Sequence, residues 1–397
     1  MTSGAPYKLN NEASIDRFGS IRPYYDAEVR SVLDRLLAHP ELIRVMTRLR
    51  FRWAPEWING WLRPLVRAGL KHKLNGVESV AGFQQVVERY MTRMIESTTG
   101  EFTVSGLDEL DPTKPVLFLS NHRDIALDPA FINYALYHNK RETVRIAIGD
   151  NLLIRDYVGD LMRLNKSFIV KRSVKGPRQM MAAYRELSDY VYHSLVEERT
   201  SVWIAHREGR AKDGWDRTEP AIVKMLCMSK DKRQSVGEHL AQLNVVPVSI
   251  SYEWDPCDAM KARELYLKSI EGQYTKAENE DVISIGVSIS EPKGAVHVSF
   301  GQPLSAAIDT PEQAALAIDQ QILELYRLHP SNLAAYRMLH GAPPPGYVET
   351  AAQTRAERVM NGRLESVPET QRPFLLAMYA NPIENRAALA AERSGAC

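Results

Sequence analysis

The sequence predicts an α/β fold in which a mostly parallel or mixed sheet is flanked by helices. From Gly100 onward, short runs rich in β-branched residues alternate with longer helical stretches, which is the pattern of successive β-α-β units. Most of these runs are apolar throughout, as expected for strands that are covered on both faces. A chain of 397 residues with 44% hydrophobic content can bury the large core that such a sheet needs.

The individual elements follow from hydrophobic periodicity and from the turn residues that flank it. The predicted strands are Val116–Ser120, Val144–Ile148, Phe168–Val170, Ser201–Ala205, Val245–Ser251, Val282–Ser288 and Ala295–Phe300. The predicted helices between them cover 129–138, 177–198, 218–229, 257–271 and 312–328. Before Gly100 the pattern is helical from about Tyr24, and Pro40, Pro55 and Pro64 divide it into short helices.

Three regions follow from these elements. Residues 1–100 form a helical, basic, Trp-rich N-terminal region, whose first 20 residues lack apolar periodicity and are expected to be a tail. Residues 101–330 form the α/β domain. The last region, 331–397, contains the boundary run from Pro343 to Gly346 and is a helical C-terminal extension, expected to be peripheral.

Composition and charge exclude several classes of protein. With 50 Lys and Arg against 49 Asp and Glu, the chain is not a globally basic nucleic-acid binder. Its 3 dispersed cysteines fit neither a disulfide framework nor a zinc cluster and indicate a reducing compartment. No run approaches the ~18 consecutive apolar residues of a membrane-spanning helix, and the first residues lack the pattern of a secretory signal.

A basic, Trp-rich segment stands out in the N-terminal region. Trp53, Trp57 and Trp61 are spaced by four, so on a helix they share one face. Between Leu42 and Lys73 there are 8 Lys or Arg residues and a single acid. Aromatic rings beside cations suit a membrane interface, which predicts a peripheral protein at the cytoplasmic face of a membrane. The alternative is that the Trp face packs on the α/β domain.

Four segments lie at the ends of predicted strands. We expect the functional residues in them, because open α/β sheets build their sites at the carboxyl edge. They read SNHRDIALDP from Ser120, SFIVKRS from Ser167, AHREGRAKDG from Ala205 and VVPVSISYE from Val245. His122 with a nearby carboxylate can act as a general base. Asp124 and Asp128 are both possible partners, and Asp128 also suits a helix cap. The cations of the second and third segments match phosphate oxygens, or are solvated basic loops.

Taken in order, these segments resemble the four sequence blocks of the glycerolipid acyltransferase superfamily, which includes glycerol-3-phosphate and 1-acylglycerol-3-phosphate acyltransferases. The resemblance covers roughly residues 101–304, up to VHVSFGQPLS. The sequence departs from the family pattern in two places. Leu127 stands where the first block usually has its Asp, and the third block has one residue fewer than usual between Gly209 and its Arg.

The resemblance implies transfer of a fatty acyl group from acyl-CoA or acyl carrier protein to the hydroxyl of glycerol 3-phosphate or a lysophospholipid, in phospholipid biosynthesis. It implies no metal, and no cofactor besides that co-substrate. His122 would deprotonate the alcohol, and Asp128 or Asp124 would orient the imidazole. The residues implied in substrate binding are Lys171, Arg172, Glu208, Gly209, Arg210 and Lys212. A different lysolipid acceptor, or a catalytically silent lipid-binding protein of this fold, are the alternatives.

Overall fold

A computed structural model describes residues 16–51, 54–153, 155–277, 279–347 and 350–395. Its strands are β1 (Thr99–Ser105), β2 (Leu117–Ser120), β3 (Arg145–Gly149), β4 (Ser167–Val170), β5 (Val202–Ala205), β6 (Val245–Tyr252) and β7 (Gly294–Phe300). Its helices are α1 (Asp26–Ala38), α2 (Pro40–Arg50), α3 (Glu56–Lys73), α4 (Val80–Thr98), α5 (Leu127–His138), α6 (Asp156–Leu164), α7 (Pro177–Tyr192), α8 (Pro220–Leu226), α9 (Val236–Gln242), α10 (Asp258–Glu271), α11 (Glu280–Ser290), α12 (Pro311–Leu325), α13 (Pro330–His340), α14 (Ala351–Glu365) and α15 (Arg372–Gly395).

The described strands form one mixed sheet in the order β1-β7-β6-β2-β5-β3-β4. The five neighbouring strands β6, β2, β5, β3 and β4 are parallel to one another. Strand β7 runs antiparallel to β6 and pairs in parallel with β1. This confirms the predicted α/β class with a mostly parallel, mixed sheet. Because β2 lies between β5 and β6, the segment that follows β2 leaves from the centre of the sheet's carboxyl edge.

The sheet is covered on both faces, which explains its continuously apolar strands. Leu117 and Leu119 of β2 point into one core, which they share with residues of α7, α8 and α12. Phe118 points into the core on the other face and meets the ring of Phe300 at a centroid distance of 5.4 Å. Phe131 of α5 is fully buried in that second core.

One predicted strand is wrong. Val282–Ser288 lies inside helix α11. The buried side of this helix carries Ser284 and Ser288, while Val282 and Ile283 are exposed. The β-branched residues of this segment predicted a buried strand, but they are not core residues. In the structure the segment is a helix whose buried face is polar.

Other elements were not predicted at all. Strand β1 is a partly exposed edge strand of mixed composition, paired only with β7 among the described strands. Helices α6 and α9 are short, with 9 and 7 residues, so their periodicity is brief.

Both flanking regions are helical, and the boundaries at residues 100 and 330 stay predictions. In the N-terminal region α1, α2 and α4 share an apolar core that includes Leu164 at the end of α6. In the C-terminal extension α13, α14 and α15 share a core with Trp254 and Ala262. Nowhere in the described ranges is there a helix with the length and apolar content needed to cross a membrane.

The buried His329 predicts a fall in stability at mildly acid pH. Burial, followed by the nearby Arg327 cation, lowers the pKa of His329 from 6.5 to about 4. Because the folded state binds this proton more weakly than the unfolded chain, stability should fall as the pH falls from about 6.5 to 4, by at most about 3 kcal/mol. In urea titrations at pH 7, 5.5 and 4.5, His329→Gln should lose less stability than the wild type over that window. Equal losses in the two proteins would contradict this assignment.

Candidate active site

His122 is presented by a short turn between β2 and α5. The amide of Asn121 continues the pairing of β2 with β6, because its Oδ1 accepts from the backbone N–H of Ile250 at 2.8 Å and its Nδ2 donates to the Ile250 carbonyl at 3.0 Å. On the other side, the carbonyl of His122 accepts from the backbone N–H of Ala211 at 2.8 Å. The turn is thereby fixed at both sides of the sheet's carboxyl edge.

Asp128 is the carboxylate that contacts the imidazole. Its Oδ2 lies 2.8 Å from Nδ1 of His122 and also accepts from the backbone N–H groups of Arg123 and Asp124, at 2.7 and 2.9 Å. Its Oδ1 accepts from the hydroxyl of Tyr252 at 2.8 Å. Since a carboxylate flanked by donors requires the His122 proton on Nδ1, Nε2 is left as the basic nitrogen.

Asp124 has a different place. Its Oδ1 accepts from the backbone N–H groups of Ala126 and Leu127, both at 2.9 Å, and its Oδ2 accepts from the hydroxyl of Ser288. Asp128, the predicted cap, lies inside the first turn of α5, whose N-cap residue Ala126 has no side-chain cap, and Asp124 accepts from the backbone where the helix begins. Burial, followed by the neighbouring Asp128 charge, raises the pKa of Asp124. Asp124 thus holds the turn, and within the described residues its carboxylate accepts from Ala126, Leu127 and Ser288 and not from the His122 ring.

A cavity of about 160 Å³ opens beside His122. Of the residues expected to bind substrate, it is lined by Arg172, Gly209, Arg210 and Lys212. Apolar side chains cover another part of its wall: Ile125, Ile146, Ile148, Leu152, Val170 and Trp203. The cavity therefore combines a basic nitrogen, cations and an apolar wall.

The cations differ in how strongly they are already paired. Arg210 donates to the Ser284 hydroxyl at 2.7 Å and lies 3.8 Å from Asp281, and Lys212 pairs with Glu264. Arg172 is less engaged, with 3.7 Å between its guanidinium and the carboxylate of Glu208.

Two of the expected residues lie outside the cavity wall. Lys171 pairs with Glu186 of α7 at 2.7 Å and with the hydroxyl of Ser20 at 3.1 Å. The side chain of Glu208 is exposed and reaches the cavity only through its partner Arg172. Since successive side chains of an extended segment point in opposite directions, Lys171 and Arg172 could not both have faced His122.

Arg207 is a cavity residue that the sequence reasoning missed. It lines the same wall as Arg210, and its buried Nε has no hydrogen-bond partner in the ranges that the structure describes. A buried unpaired donor beside a cavity is suited to an anionic ligand. The sequence feature that could have identified Arg207 is its position inside the third segment. Asp216, which pairs with Arg123 at 2.6 Å, lies beyond that segment, and no sequence pattern pointed to it.

A second, apolar cavity of about 280 Å³ adjoins the first. The two share Ile125, Ile146, Ile148 and Leu152. From there the second cavity continues along α4 and α5, past Met91, and reaches Ile289 of α11. An apolar space therefore begins within the wall that also carries His122.

Residues 101–251 match the family model described as Acyltransferase. A glycerol-3-phosphate acyltransferase from Pseudomonas syringae pv. tomato is 26% identical over 230 residues, which are 58% of this chain and 26% of that protein. The human dihydroxyacetone phosphate acyltransferase is 26% identical over 193 residues, which are 48% of this chain and 26% of the relative.

Among solved structures, the 1-acyl-sn-glycerophosphate (LPA) acyltransferase from Thermotoga maritima aligns with a TM-score of 0.38 and 12% sequence identity, covering 71% of this chain and 92% of that one. The matched part of the chain spans about a quarter of the length of the curated relatives above. The family match covers β2 to β6, the part of the sheet that builds the His122 site. Residues 101–251 thus match the Acyltransferase family model, and the curated relatives similar to this part of the chain are acyltransferases of glycerol 3-phosphate and of dihydroxyacetone phosphate.

Proposed function

We propose that the protein transfers a fatty acyl group from an acyl thioester, acyl-CoA or acyl carrier protein, to the hydroxyl of glycerol 3-phosphate or a lysophospholipid. The observation that carries this proposal is the His122–Asp128 pair beside a cavity with both cationic and apolar walls. The relatives named above are acyltransferases of glycerol 3-phosphate and of dihydroxyacetone phosphate. Their names therefore also support an acceptor that carries a phosphate.

In the proposed reaction Nε2 of His122 takes the proton of the acceptor hydroxyl. The oxygen forms a bond to the thioester carbonyl carbon, the C–S bond breaks, and the imidazolium returns the proton to the departing thiolate. Asp128 stabilises the imidazolium because its carboxylate already accepts the Nδ1 proton at 2.8 Å. The step needs no metal and conserves atoms and charge.

The cations on the cavity wall are the groups that we assign to the acceptor's phosphate. Arg172 and Arg207 are the least engaged of these by other side chains, and Arg210 and Lys212 complete the positive wall. Guanidinium groups bind phosphate oxygens in a bidentate manner, which fixes the distance between the phosphate and His122. The adjoining apolar cavity is where we place the acyl chain.

Mass identification of the product tests this function. Purified protein is incubated with acyl-CoA or acyl carrier protein and with glycerol 3-phosphate, a lysophosphatidate or an uncharged glycerol analogue. We expect an acylated product with a phosphate-bearing acceptor and much less with the uncharged analogue. Binding of these lipids without any acylated product, from either donor, would instead indicate a catalytically silent lipid-binding protein.

We also place the protein at the surface of a membrane, on its cytoplasmic face. Trp57 and Trp61 of α3 are 72% and 83% exposed, and Leu65 one turn further is 68% exposed. Trp53 lies outside the described residues. The exposed rings do not fit the alternative that this face packs on the α/β domain. Exposed Trp side chains with flanking cations support a contact with anionic lipid headgroups.

Removing the two described rings should weaken this contact. If each ring contributes about 1 kcal/mol by partial immersion, the double variant Trp57→Ala/Trp61→Ala should bind anionic vesicles roughly 30-fold more weakly. Vesicle flotation measures the effect. The matched control is Ile270→Ala/Leu316→Ala, which removes two exposed apolar side chains from α10 and α12. Equal loss in both double variants, or none in either, would count against membrane contact through α3.

A further inference from the structure

Helix α15 of the C-terminal extension contacts the loop that follows β5. The side-chain amide of Asn381 donates to the carbonyl of Asp213 at 2.6 Å, and that of Asn385 donates to the carbonyl of Asp216 at 3.0 Å. These two residues are spaced by four and share one helix face. Between their partners lies Gly214, with φ of +83°, where an added Cβ would stand 2.3 Å from the Met378 carbonyl. The loop and the helix backbone are therefore in direct contact.

This loop in turn holds both neighbours of His122. Oδ2 of Asp216 accepts from the guanidinium of Arg123 at 2.6 Å and from the amide of Asn121 at 3.2 Å. Arg123 also donates to the Gly214 carbonyl at 3.2 Å. All three polar side chains are buried, so the geometry of this network is set by the protein and not by solvent.

A second path from α15 reaches the same turn. The hydroxyl of Tyr379 accepts from the backbone N–H of Asp255 at 2.9 Å and donates to Asp258 at 2.8 Å. Lys261 pairs with the Asp255 carboxylate and donates to the carbonyl of Arg123 at 2.7 Å. Both paths therefore end on Arg123, the residue directly after His122.

We infer that the C-terminal extension, which lies outside the matched residues 101–251, positions the acyl-transfer site. Asn381, Asn385 and Tyr379 are positioning residues, because they act on His122 through Asp216, Lys261 and Arg123. A shift of the His122 ring by a fraction of an ångström separates its Nε2 from the acceptor hydroxyl, so the effect falls on the chemical step. The inference deepens the proposed function and rests on it.

The test is the double variant Asn381→Ala/Asn385→Ala, which removes both amide donors and leaves the cavity wall intact. At saturating substrate we expect kcat to fall roughly 10- to 100-fold. The KM for the acceptor should rise by a smaller factor, because Arg172 lies outside the loop that α15 holds, whereas Arg207, Arg210 and Lys212 lie on it. Asn361→Ala, an exposed asparagine of α14, is the matched control and should keep full activity. Asn385→Gln retains a donor and should recover part of kcat relative to Asn385→Ala.

Hydrogen exchange gives a readout that does not depend on acyl transfer. Backbone amides of segments 121–124 and 207–217 should exchange faster in the double variant than in the wild type. In the control variant their exchange rates should equal those of the wild type. A folded double variant with unchanged kcat and unchanged amide exchange rates would overturn the inference. A loss of kcat that matches the unfolded fraction measured by circular dichroism would overturn it too. If the double variant does not fold, Tyr379→Phe, which keeps the ring, carries the same test. A wild type without acyl transfer would refute the proposed function, while the exchange data still decide whether α15 holds the turn.

Discussion

Replacing His122 with alanine should lower kcat for acyl transfer by about 10²–10⁴-fold and leave the fold intact. The imidazole is the group beside the cavity whose Nδ1 is held by Asp128, and its removal leaves the acceptor hydroxyl without a positioned base. The side chain contributes little to the core because its tertiary contacts are the Asp128 bond and an edge contact with Trp203. The measurement is steady-state kinetics with the donor and acceptor identified by product mass.

The control for this substitution is His340→Ala. His340 pairs with Glu384 on the surface of the C-terminal extension, at 2.7 Å, and it should be replaceable without loss of rate. If His122→Ala retained more than about a tenth of wild-type kcat, proton abstraction by this imidazole would no longer be tenable as the source of the rate.

The second large effect is expected for Asp128→Asn, which should lower kcat about 100-fold or more. The amide can still accept from Nδ1 of His122 but has no charge with which to stabilise the imidazolium. It can also turn its NH₂ group toward the three N–H donors that now surround Oδ2, which would displace the ring. KM for the acceptor should change little, because Asp128 is buried behind the imidazole.

Asp124→Asn is the matched comparison, since the same change is made four residues away. Its amide oxygen can keep the bonds from the backbone of Ala126 and Leu127. Burial already raises the pKa of Asp124, so a neutral group is tolerated there. We expect a loss of less than about tenfold in kcat. The reverse order, with Asp124→Asn the more damaging to kcat at equal stability, would contradict the assignment of Asp128 as the partner.

The sequence was sufficient to predict the fold class because the central strands are buried on both faces. β2, β5 and β6 are mostly apolar and almost entirely buried, and their ends were predicted to within about one residue. The prediction failed at α11, where the buried face is made of Ser284 and Ser288. Composition reports how apolar a segment is, but not which side of it the rest of the protein will cover.

The choice between Asp124 and Asp128 could not be made from the sequence. Both carboxylates lie within six residues of His122, and Asp128 could equally have been a helix cap. In the structure α5 begins at Leu127, so Asp128 lies on its first turn with its side chain directed back to the imidazole. Asp124 lies in the preceding loop and accepts from the backbone N–H of Leu127. Only the backbone path of the turn decides which carboxylate meets the ring.

Long-range partners were equally beyond the reach of sequence patterns. Tyr252 stands 124 positions from Asp128, and Asn385 stands 169 positions from Asp216. The extension looked peripheral because its composition is that of exposed helices, but its buried polar contacts lie at the site. The four segments gave the candidate site, and the residues that hold it in place came from the tertiary structure.

The central claim is that one cavity binds the acceptor's phosphate on its cations while its hydroxyl meets His122. A crystal structure of the protein with glycerol 3-phosphate measures this directly. We predict a hydroxyl oxygen at about 2.6–3.2 Å from Nε2 of His122, with phosphate oxygens on Arg172 and Arg207 or Arg210. A phosphate bound on another surface, or a bound molecule with no hydroxyl within reach of the imidazole, would contradict the account.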